Sequence, residues 1–264
     1  MLQSASNKPD SRSGPSQLNS VESLAAARND GKKHLLLAAS GSVATIKLPV
    51  IIKALAKYEG ALSIRVVLTE SAAHFLAGQS SEQPTVASLL ELPNVEAVYR
   101  DDDEWGPQPW RRGASILHIE LRRWADLLVV APLSANTLAK VVNGISDNLL
   151  TSVIRAWDTD GSIDMKKKLI VVAPAMNSAM WRHPVTAKQI RVLEEDWGVN
   201  GGSEPAVDNS APSHLGWFKV IMPISKTLAC GDTGDGQCHG IGRDHLRSDR
   251  AESEALILVI RPRA

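Results

Sequence analysis

The sequence predicts a doubly wound α/β fold of the Rossmann-like type, with a parallel sheet covered by helices on both faces. Two observations predict it. Several short strands are apolar throughout, and segments with helical apolar spacing alternate with them along the chain. A strand without a polar face must be covered on both sides, as it is between the two helical layers of a parallel sheet. Apolar residues make up 44% of the 264 residues, so the chain can build one core of ordinary size.

The predicted elements alternate in the order that this fold requires. Strands are predicted at residues 34–39, 62–69, 126–131 and 169–174, where the sequences are HLLLAA, LSIRVVLT, DLLVVA and LIVVAP. Helices are predicted at residues 43–57, 70–77, 134–142, 147–157 and 178–195, and an edge strand at 217–223. Two segments rich in Pro, Gly, Ser or acidic residues are predicted to be surface excursions, at residues 80–113 and 200–212.

Composition and charge disfavour several classes of protein. Lys+Arg and Asp+Glu both number 29, whereas a protein that binds the nucleic-acid backbone needs a basic excess. No apolar run approaches the roughly 20 residues that span a bilayer, and the first residues lack the apolar segment of a signal peptide. Two cysteines cannot build a disulfide framework. We therefore expect a reduced, soluble, cytoplasmic protein without a nucleic-acid or membrane partner.

Candidate ligand-binding residues follow the predicted strands, because open α/β sheets bind ligands beyond the carboxyl ends of their strands. The turn at residues 40–43 (SGSV) is small enough for an anion to approach its backbone, or it is an ordinary tight turn with a cap. It matches neither a Walker loop nor a dinucleotide-binding GxGxxG motif. After the third strand, Ser134 is expected to cap the next helix, and Asn136 and Thr137 add hydrogen-bonding groups near its first turn.

The remaining candidates are ambiguous when taken singly. Asn177 lies at a predicted helix start, where an Asn is usually a cap, and its flanking methionines are more often core residues. His118 is a lone histidine on a helix with apolar neighbours, and Cys230 has the surroundings of an inert small residue. Cys230, Cys238 and His239 lack a fourth ligand at a standard zinc interval, so no metal site is predicted.

Taken together, four segments resemble the flavin-containing cysteine decarboxylase family. Their sequences are GSVATIKLP, LHIELRRWADLLVVAPLSANTLAKVVNGISDNLLTSVIRAWD, PAMNSAMWRHPVT and KTLACGDTGDG. The pattern PxMNxxMW, at residues 174–181, is specific to that family. The resemblance covers about residues 33–236 and predicts one flavoprotein domain there. Residues 1–32 are predicted to be a disordered tail, and residues 237–264 an atypical C-terminal tail without family resemblance.

The resemblance implies an enzyme of coenzyme A biosynthesis that removes the carboxyl group of a cysteine with the help of FMN. It implies a homotrimer, or a mixed trimer with a paralogue, with the flavin held between subunits. His118 and Cys230 would be the catalytic residues, with Cys230 as a proton donor on a flap. Asn177 would hold the substrate carboxylate, beside Met176 and Met180. The flavin contacts would be Gly41, Ser42, Val43, Thr69, Ser71, Ser134, Ala135, Asn136, Thr137 and Ala175.

Alternative functions stay open at this stage. Some relatives are regulatory subunits that inhibit a protein phosphatase, or non-catalytic members of a mixed trimer. Such relatives typically lack a catalytic residue and carry acidic tails, whereas this chain keeps His118, Asn177 and Cys230 together and its C-terminus is not acidic. A flavin prenyltransferase is disfavoured because it lacks the PxMNxxMW pattern. A cysteine at the C-terminus of a peptide would need the same site chemistry, so such a substrate is also open.

Overall fold

A six-stranded, all-parallel sheet forms the centre of the molecule. The structure is a computed structural model that describes residues 21–80, 82–105, 109–199 and 216–222, together with the backbone of residues 226–227 and 233–234. The strands are β1 (Lys33–Ala39), β2 (Leu62–Leu68), β3 (Val95–Tyr99), β4 (Leu127–Leu133), β5 (Leu169–Pro174) and β6 (Phe218–Val220). Their order in the sheet is β3-β2-β1-β4-β5-β6. A separate antiparallel pair consists of β7 (Lys226–Thr227) and β8 (Thr233–Gly234).

Helices cover both faces of the sheet, as the sequence predicts. They are α1 (Val21–Ala26), α2 (Leu48–Ala54), α3 (Glu70–His74), α4 (Leu117–Trp124), α5 (Ala135–Val142), α6 (Leu149–Arg155), α7 (Ser178–Arg182) and α8 (Pro184–Arg191). Successive residues of β1 enter different hydrophobic clusters, because side chains alternate between the faces of a strand. One cluster contains buried residues of α1, α4, α5, α6 and α8, and the other contains those of α2 and α3. The prediction of a doubly wound α/β fold is therefore confirmed.

The predicted N-terminal tail is too long. Residues 21–26 form α1 and residues 27–29 a 3-10 turn, and Leu24 is fully buried in the core cluster that contains Leu121 of α4. Arg28 pairs with Glu120 of the same helix. A six-residue helix is unstable in isolation and depends on tertiary packing, which its short apolar pattern does not reveal. Residues 1–20 and the predicted C-terminal tail lie outside the described residues.

The predicted surface excursion at residues 80–113 contains an unpredicted strand. β3 pairs with β2 and forms one edge of the sheet. It has only five residues, and the first two, Val95 and Glu96, are half-buried. Glu96 accepts hydrogen bonds from Lys32 at 3.2 Å and from Arg65 at 3.5 Å. The apolar pattern of a central strand is therefore absent. At the opposite edge β6 confirms the predicted edge strand, and the predicted excursion at 200–212 lies outside the described residues.

Two predicted helices are broken into shorter pieces. The predicted helix at 43–57 is a 3-10 turn (Val43–Lys47), then α2, then a second 3-10 turn (Ala56–Tyr58), and Pro49 falls in the first turn of α2, where proline is tolerated. The predicted helix at 178–195 is split into α7, α8 and a π-helical turn (Val192–Asp196). His183 is extended because the residue before a proline avoids helical angles, and its Nδ1 accepts the Val185 N–H at 3.2 Å.

Candidate active site

The predicted ligand-binding loops lie together at the carboxyl ends of the parallel strands. This end of the sheet is called the carboxyl edge, and it is distinct from the edge strands β3 and β6. A buried serine joins the loops that follow β1 and β4. The Ser40 hydroxyl donates to the Pro132 carbonyl at 3.1 Å and accepts the Ser134 N–H at 2.8 Å. Ser40 is completely buried. It therefore fixes the spacing between the two segments that the sequence singles out as small and polar.

The loop after β1 lies directly against the start of α3. A Cβ atom placed on Gly41 would lie 2.5 Å from the Cβ of Ser71, so a side chain at position 41 would collide with this loop. Thr69 donates its backbone N–H to the Ala39 carbonyl at 3.2 Å, and its hydroxyl accepts the Ala72 N–H at 3.2 Å as the cap of α3. The structure thus brings Gly41, Thr69 and Ser71 together, as expected for parts of one site.

Ser42 and Val43 continue this loop into the 3-10 turn. Ser42 is 7% exposed, and its side chain does not cap the turn. Val43 is 42% exposed. The Val43 side chain is therefore open to a ligand, whereas the Ser42 side chain, which caps nothing, is largely buried.

Ser134 caps α5, as predicted. Its hydroxyl accepts the Thr137 N–H at 3.3 Å, and Ser134 and Thr137 are both buried. Asn136 is exposed and Ala135 is half-buried on the same turn.

The segment after β5 lies against the segment after β4. Ala175 donates its N–H to the Leu133 carbonyl at 2.9 Å, and this bond holds the two segments together.

Asn177 is both a cap and an exposed amide. Its Oδ1 accepts the Met180 N–H at 2.8 Å at the start of α7, and its side chain is accessible. The amide nitrogen donates no hydrogen bond to the described residues. Of the two methionines predicted to touch substrate, Met176 is 4% exposed and packs into the core, whereas Met180 is 50% exposed. Only Met180 is therefore open to a ligand.

His118 lies at the carboxyl edge of the sheet, with the loops described above. α4 leads directly into β4 and runs opposite to it, so the start of α4 is near the carboxyl ends of the strands. The His118 side chain is 22% exposed, and its Nδ1 lies 2.5 Å from Oε1 of Glu104. Glu104 belongs to the turn after β3, where Asp101 accepts the Glu70 N–H at 3.0 Å, next to Ser71. Sequence reasoning missed Glu104. Cys230 lies outside the described residues.

The amino ends of the strands, at the other end of the sheet from the candidate site, hold a different kind of polar cluster. A cavity of about 290 Å³ there is lined by charged residues that include Asp126, Asp164 and Lys168. Burial lowers the pKa of Lys168, whose ammonium group donates to the Arg122 carbonyl at 2.9 Å and to Asp164 at 3.2 Å. The charges of this cluster are paired within the protein, and the cluster is separate from the candidate site.

Neither a metal site nor a membrane helix is found in the described ranges. No group of His, Cys, Asp and Glu side chains there is arranged to hold a metal ion. None of the helices in those ranges is long and apolar enough to cross a membrane.

Comparisons with known proteins place this arrangement in a family. The flavoprotein family matches residues 23–243. A phosphopantothenoylcysteine decarboxylase of Arabidopsis thaliana is 42% identical over 206 residues, which is 78% of each chain. Two solved structures, each with 38% identity and a TM-score of 0.60, cover 88% of this chain. One is a phosphopantothenoylcysteine decarboxylase variant with pantothenoylaminoethenethiol (100% of its chain), and the other is the FMN-binding protein AtHal3 (99%). The chain therefore belongs to the flavoprotein family, in the part of it that includes the phosphopantothenoylcysteine decarboxylases.

Proposed function

We propose that this protein decarboxylates 4'-phosphopantothenoylcysteine to 4'-phosphopantetheine, a step of coenzyme A biosynthesis, with FMN as its cofactor. The observation that carries the proposal is the combination of His118 and Asn177 at the carboxyl edge of the sheet, in a chain 42% identical to a phosphopantothenoylcysteine decarboxylase. Both side chains are accessible there, although neighbouring polar residues such as Ser134 and Thr137 are buried.

The loops around Gly41 fit a flavin mononucleotide. Gly41 lies so close to Ser71 that it cannot carry a side chain, and a ligand can therefore approach its bare backbone. The Ser42 hydroxyl is not used as a cap. Small residues and hydroxyls suit the phosphate and ribityl groups of FMN. When bound, FMN supplies a temporary hydride acceptor for the carbon–sulfur end of the substrate. The residues that would hold it are Gly41, Ser42, Val43, Thr69, Ser71, Ser134, Ala135, Asn136, Thr137 and Ala175.

Asn177 is suited to orient the carboxylate that is lost. Its Oδ1 is already engaged by the Met180 N–H, so its amide nitrogen is left to donate to an anion. A neutral amide orients a carboxylate without stabilising its charge as strongly as a cation would, and so it does not oppose the departure of carbon dioxide. Met180 lies one turn along and is open to the rest of the substrate.

Two residues are proposed to handle protons. His118 is the active-site histidine, on the half-buried first turn of α4. Cys230 is proposed as the acid that protonates the substrate carbon at the end of the reaction, because a thiol is acidic enough to donate near neutral pH, with a reference pKa of about 8.5. The support for Cys230 is the resemblance of KTLACGDTGDG to the family flap.

The test is incubation of the purified, flavin-loaded protein with 4'-phosphopantothenoylcysteine, with carbon dioxide and 4'-phosphopantetheine as the measured products. His118→Asn is the matched inactive control. A peptide with a C-terminal cysteine is assayed in parallel to test the other cysteine substrate. Turnover of the peptide alone, or of neither compound, would contradict the proposal.

The assembly and location are part of the same proposal. The protein is proposed to work as a homotrimer in the cytoplasm, with the flavin between subunits. The support is the family resemblance. In such a trimer a neighbouring subunit would cover the exposed apolar side chains of Val43 and Met180.

A further inference from the structure

The acidic run Asp101–Glu104 is a folded turn at the candidate site rather than a solvated excursion. Asp101 accepts the Glu70 N–H at 3.0 Å with one oxygen and the Leu149 N–H at 3.1 Å with the other, so one carboxylate caps the first residues of both α3 and α6. Asp103 accepts the Arg100 N–H at 2.7 Å. These bonds hold the turn rigidly between two helices and fix the position of Glu104.

The Glu104 carboxylate is placed against the active-site histidine. Its side chain is 6% exposed, and Oε1 lies 2.5 Å from His118 Nδ1. Oε2 is buried and has no hydrogen-bond partner among the described residues. Burying a carboxylate with one oxygen unsatisfied costs stability. This cost opposes whatever stability the pair with His118 contributes, so the contact is better explained by its effect on the imidazole ring.

The contact between Glu104 and His118 Nδ1 favours one tautomer of the ring. An ionised carboxylate only accepts hydrogen bonds, so Nδ1 must carry a hydrogen and donate it. In the neutral ring, Nε2 is then the basic nitrogen, and it makes no hydrogen bond to the described residues. A carboxylate in this position fixes both the tautomer and the orientation of a catalytic histidine.

Resting on the proposed function, we propose that Glu104 is a positioning residue for the decarboxylation. It holds His118 in the Nδ1–H tautomer and presents Nε2 to the bound substrate. The sequence DDDE therefore combines a rigid support, supplied by Asp101 and Asp103, with one functional carboxylate. Asp102, which is exposed on the same turn, has neither role.

The test compares Glu104→Gln with Asp102→Asn, a matched variant that removes a carboxylate from the same turn without touching His118. Steady-state kinetics should show kcat lowered about tenfold or more by Glu104→Gln, with KM changed less than about threefold. Asp102→Asn should leave both constants within about twofold. Both variants should keep the flavin absorption band.

The second readout is the tautomer of His118 itself, which a merely structural contact would not set. Nitrogen-15 NMR of ring-labelled protein in alkaline buffer reports which nitrogen carries hydrogen, and His118→Asn identifies the signals among the seven histidines. The wild type should show Nδ1–H, and Glu104→Gln should shift the population toward Nε2–H.

Two results would overturn the proposal: an Nε2–H ring in the wild type, or a Glu104→Gln variant with unchanged tautomer and kcat. The wild-type spectrum needs no variant, so it decides the matter even when Glu104→Gln does not fold. A wild type without decarboxylase activity would refute the proposed function, whereas the spectrum would still report separately on the contact between Glu104 and His118.

Discussion

Polar residues at the strand ends have two uses at once. Thr69, Ser134 and Asn177 each accept a backbone N–H at the start of a helix, which satisfies a donor that the helix leaves unpaired. Each cap uses a single oxygen. The amide nitrogen of Asn177 and the exposed Asn136 beside Ser134 are left for a ligand. The two interpretations of Asn177 from the sequence, cap and ligand, are therefore compatible.

At the residue scale, His118→Asn should abolish turnover while the fold and the flavin are retained. An asparagine amide can still donate to Glu104, which avoids an unpaired buried carboxylate, but it has no basic ring nitrogen. Loss of general acid–base catalysis predicts a fall in kcat of about 100-fold or more. Absorption spectra show whether the flavin is retained, and product assays measure the loss of turnover. A stable, active His118→Leu variant would show that the histidine only packs.

Asn177→Asp should separate capping from catalysis. Aspartate preserves the oxygen that accepts the Met180 N–H, so the unfolding free energy should be nearly unchanged. It also places a like charge against the substrate carboxylate, so substrate binding and turnover should be lost. Asn177→Ala, by contrast, should lose about 1 kcal/mol of stability with the cap. Chemical denaturation and the decarboxylation assay measure these effects, and normal turnover by Asn177→Asp would reduce Asn177 to a cap.

Residue-level prediction from sequence succeeded where a local rule applies and failed where it does not. Ser134 and Asn177 were recognisable because capping residues immediately precede a helical pattern. Glu104 was not recognisable, because an acidic run followed by Gly and Pro is typical of solvated loops. Its burial depends on β3, α3 and α6, which are distant in sequence and meet only in the folded sheet.

Among the elements, the central strands were predictable and the edge and terminal elements were not. β1, β2, β4 and β5 are apolar along most of their length because both of their faces are covered. β3 has one partner strand, and its first two residues are half-buried, so its sequence lacks that signature. The helix α1 depends on α4 for its stability, and Pro184 divides a pattern that would otherwise continue through α7 and α8.

The contact between the β1 and β2 loops gives a prediction about pairs of elements. Gly41→Ala should weaken flavin binding about tenfold or more, because the new methyl group collides with the Ser71 Cβ and forces the loops apart. Ser71→Gly removes the atom that is struck. Gly41→Ala should therefore weaken flavin binding less in a Ser71→Gly background than in the wild type, as measured by fluorescence titration. An equal loss of affinity in the two backgrounds would refute the steric explanation.

Asp126, immediately before β4, accepts the backbone N–H of His34 in β1, and this contact should make the stability of the fold depend on pH. Burial would raise the pKa of Asp126, but its pairing with Lys166 and the His34 N–H at 3.0 Å outweigh burial and hold the pKa below its ordinary value of 3.8. A depressed carboxyl pKa contributes stability above the unfolded value, and that stability disappears as the pH falls through the folded value.

The stability difference between wild type and Asp126→Asn should accordingly shrink as the pH is lowered from about 6 to about 3. Urea denaturation at one fixed protein concentration measures it, with the exposed Asp102→Asn as the control for loss of charge. A difference that stays constant over this range would mean that the ionised carboxylate does not support the junction of β1 and β4.

For the whole molecule, the strand order explains why residues so far apart in sequence form one site. In a doubly wound sheet every βα loop returns to the same edge, so loops after β1, β2, β3, β4 and β5 converge there. The sequence predicts this convergence because the alternation of strands and helices is itself a sequence property. It does not predict the contacts within the edge, such as Ser40 with Ser134 or Gly41 with Ser71, because these depend on the order of strands in the sheet.

The proposed assembly predicts that flavin binding and trimer formation are linked. Light scattering should give about three times the chain mass of 28.4 kDa, with a flavin absorption band in the same peak. A flavin held between subunits stabilises the trimer and is released when the trimer dissociates. On dilution, the protein-bound flavin absorption and the particle mass from light scattering should therefore fall together. The exposed side chains of Val43 and Met180 should become protected from solvent in the trimer. A colourless monomer at micromolar concentration, or a monomer that keeps its flavin on dilution, would contradict a site shared between subunits.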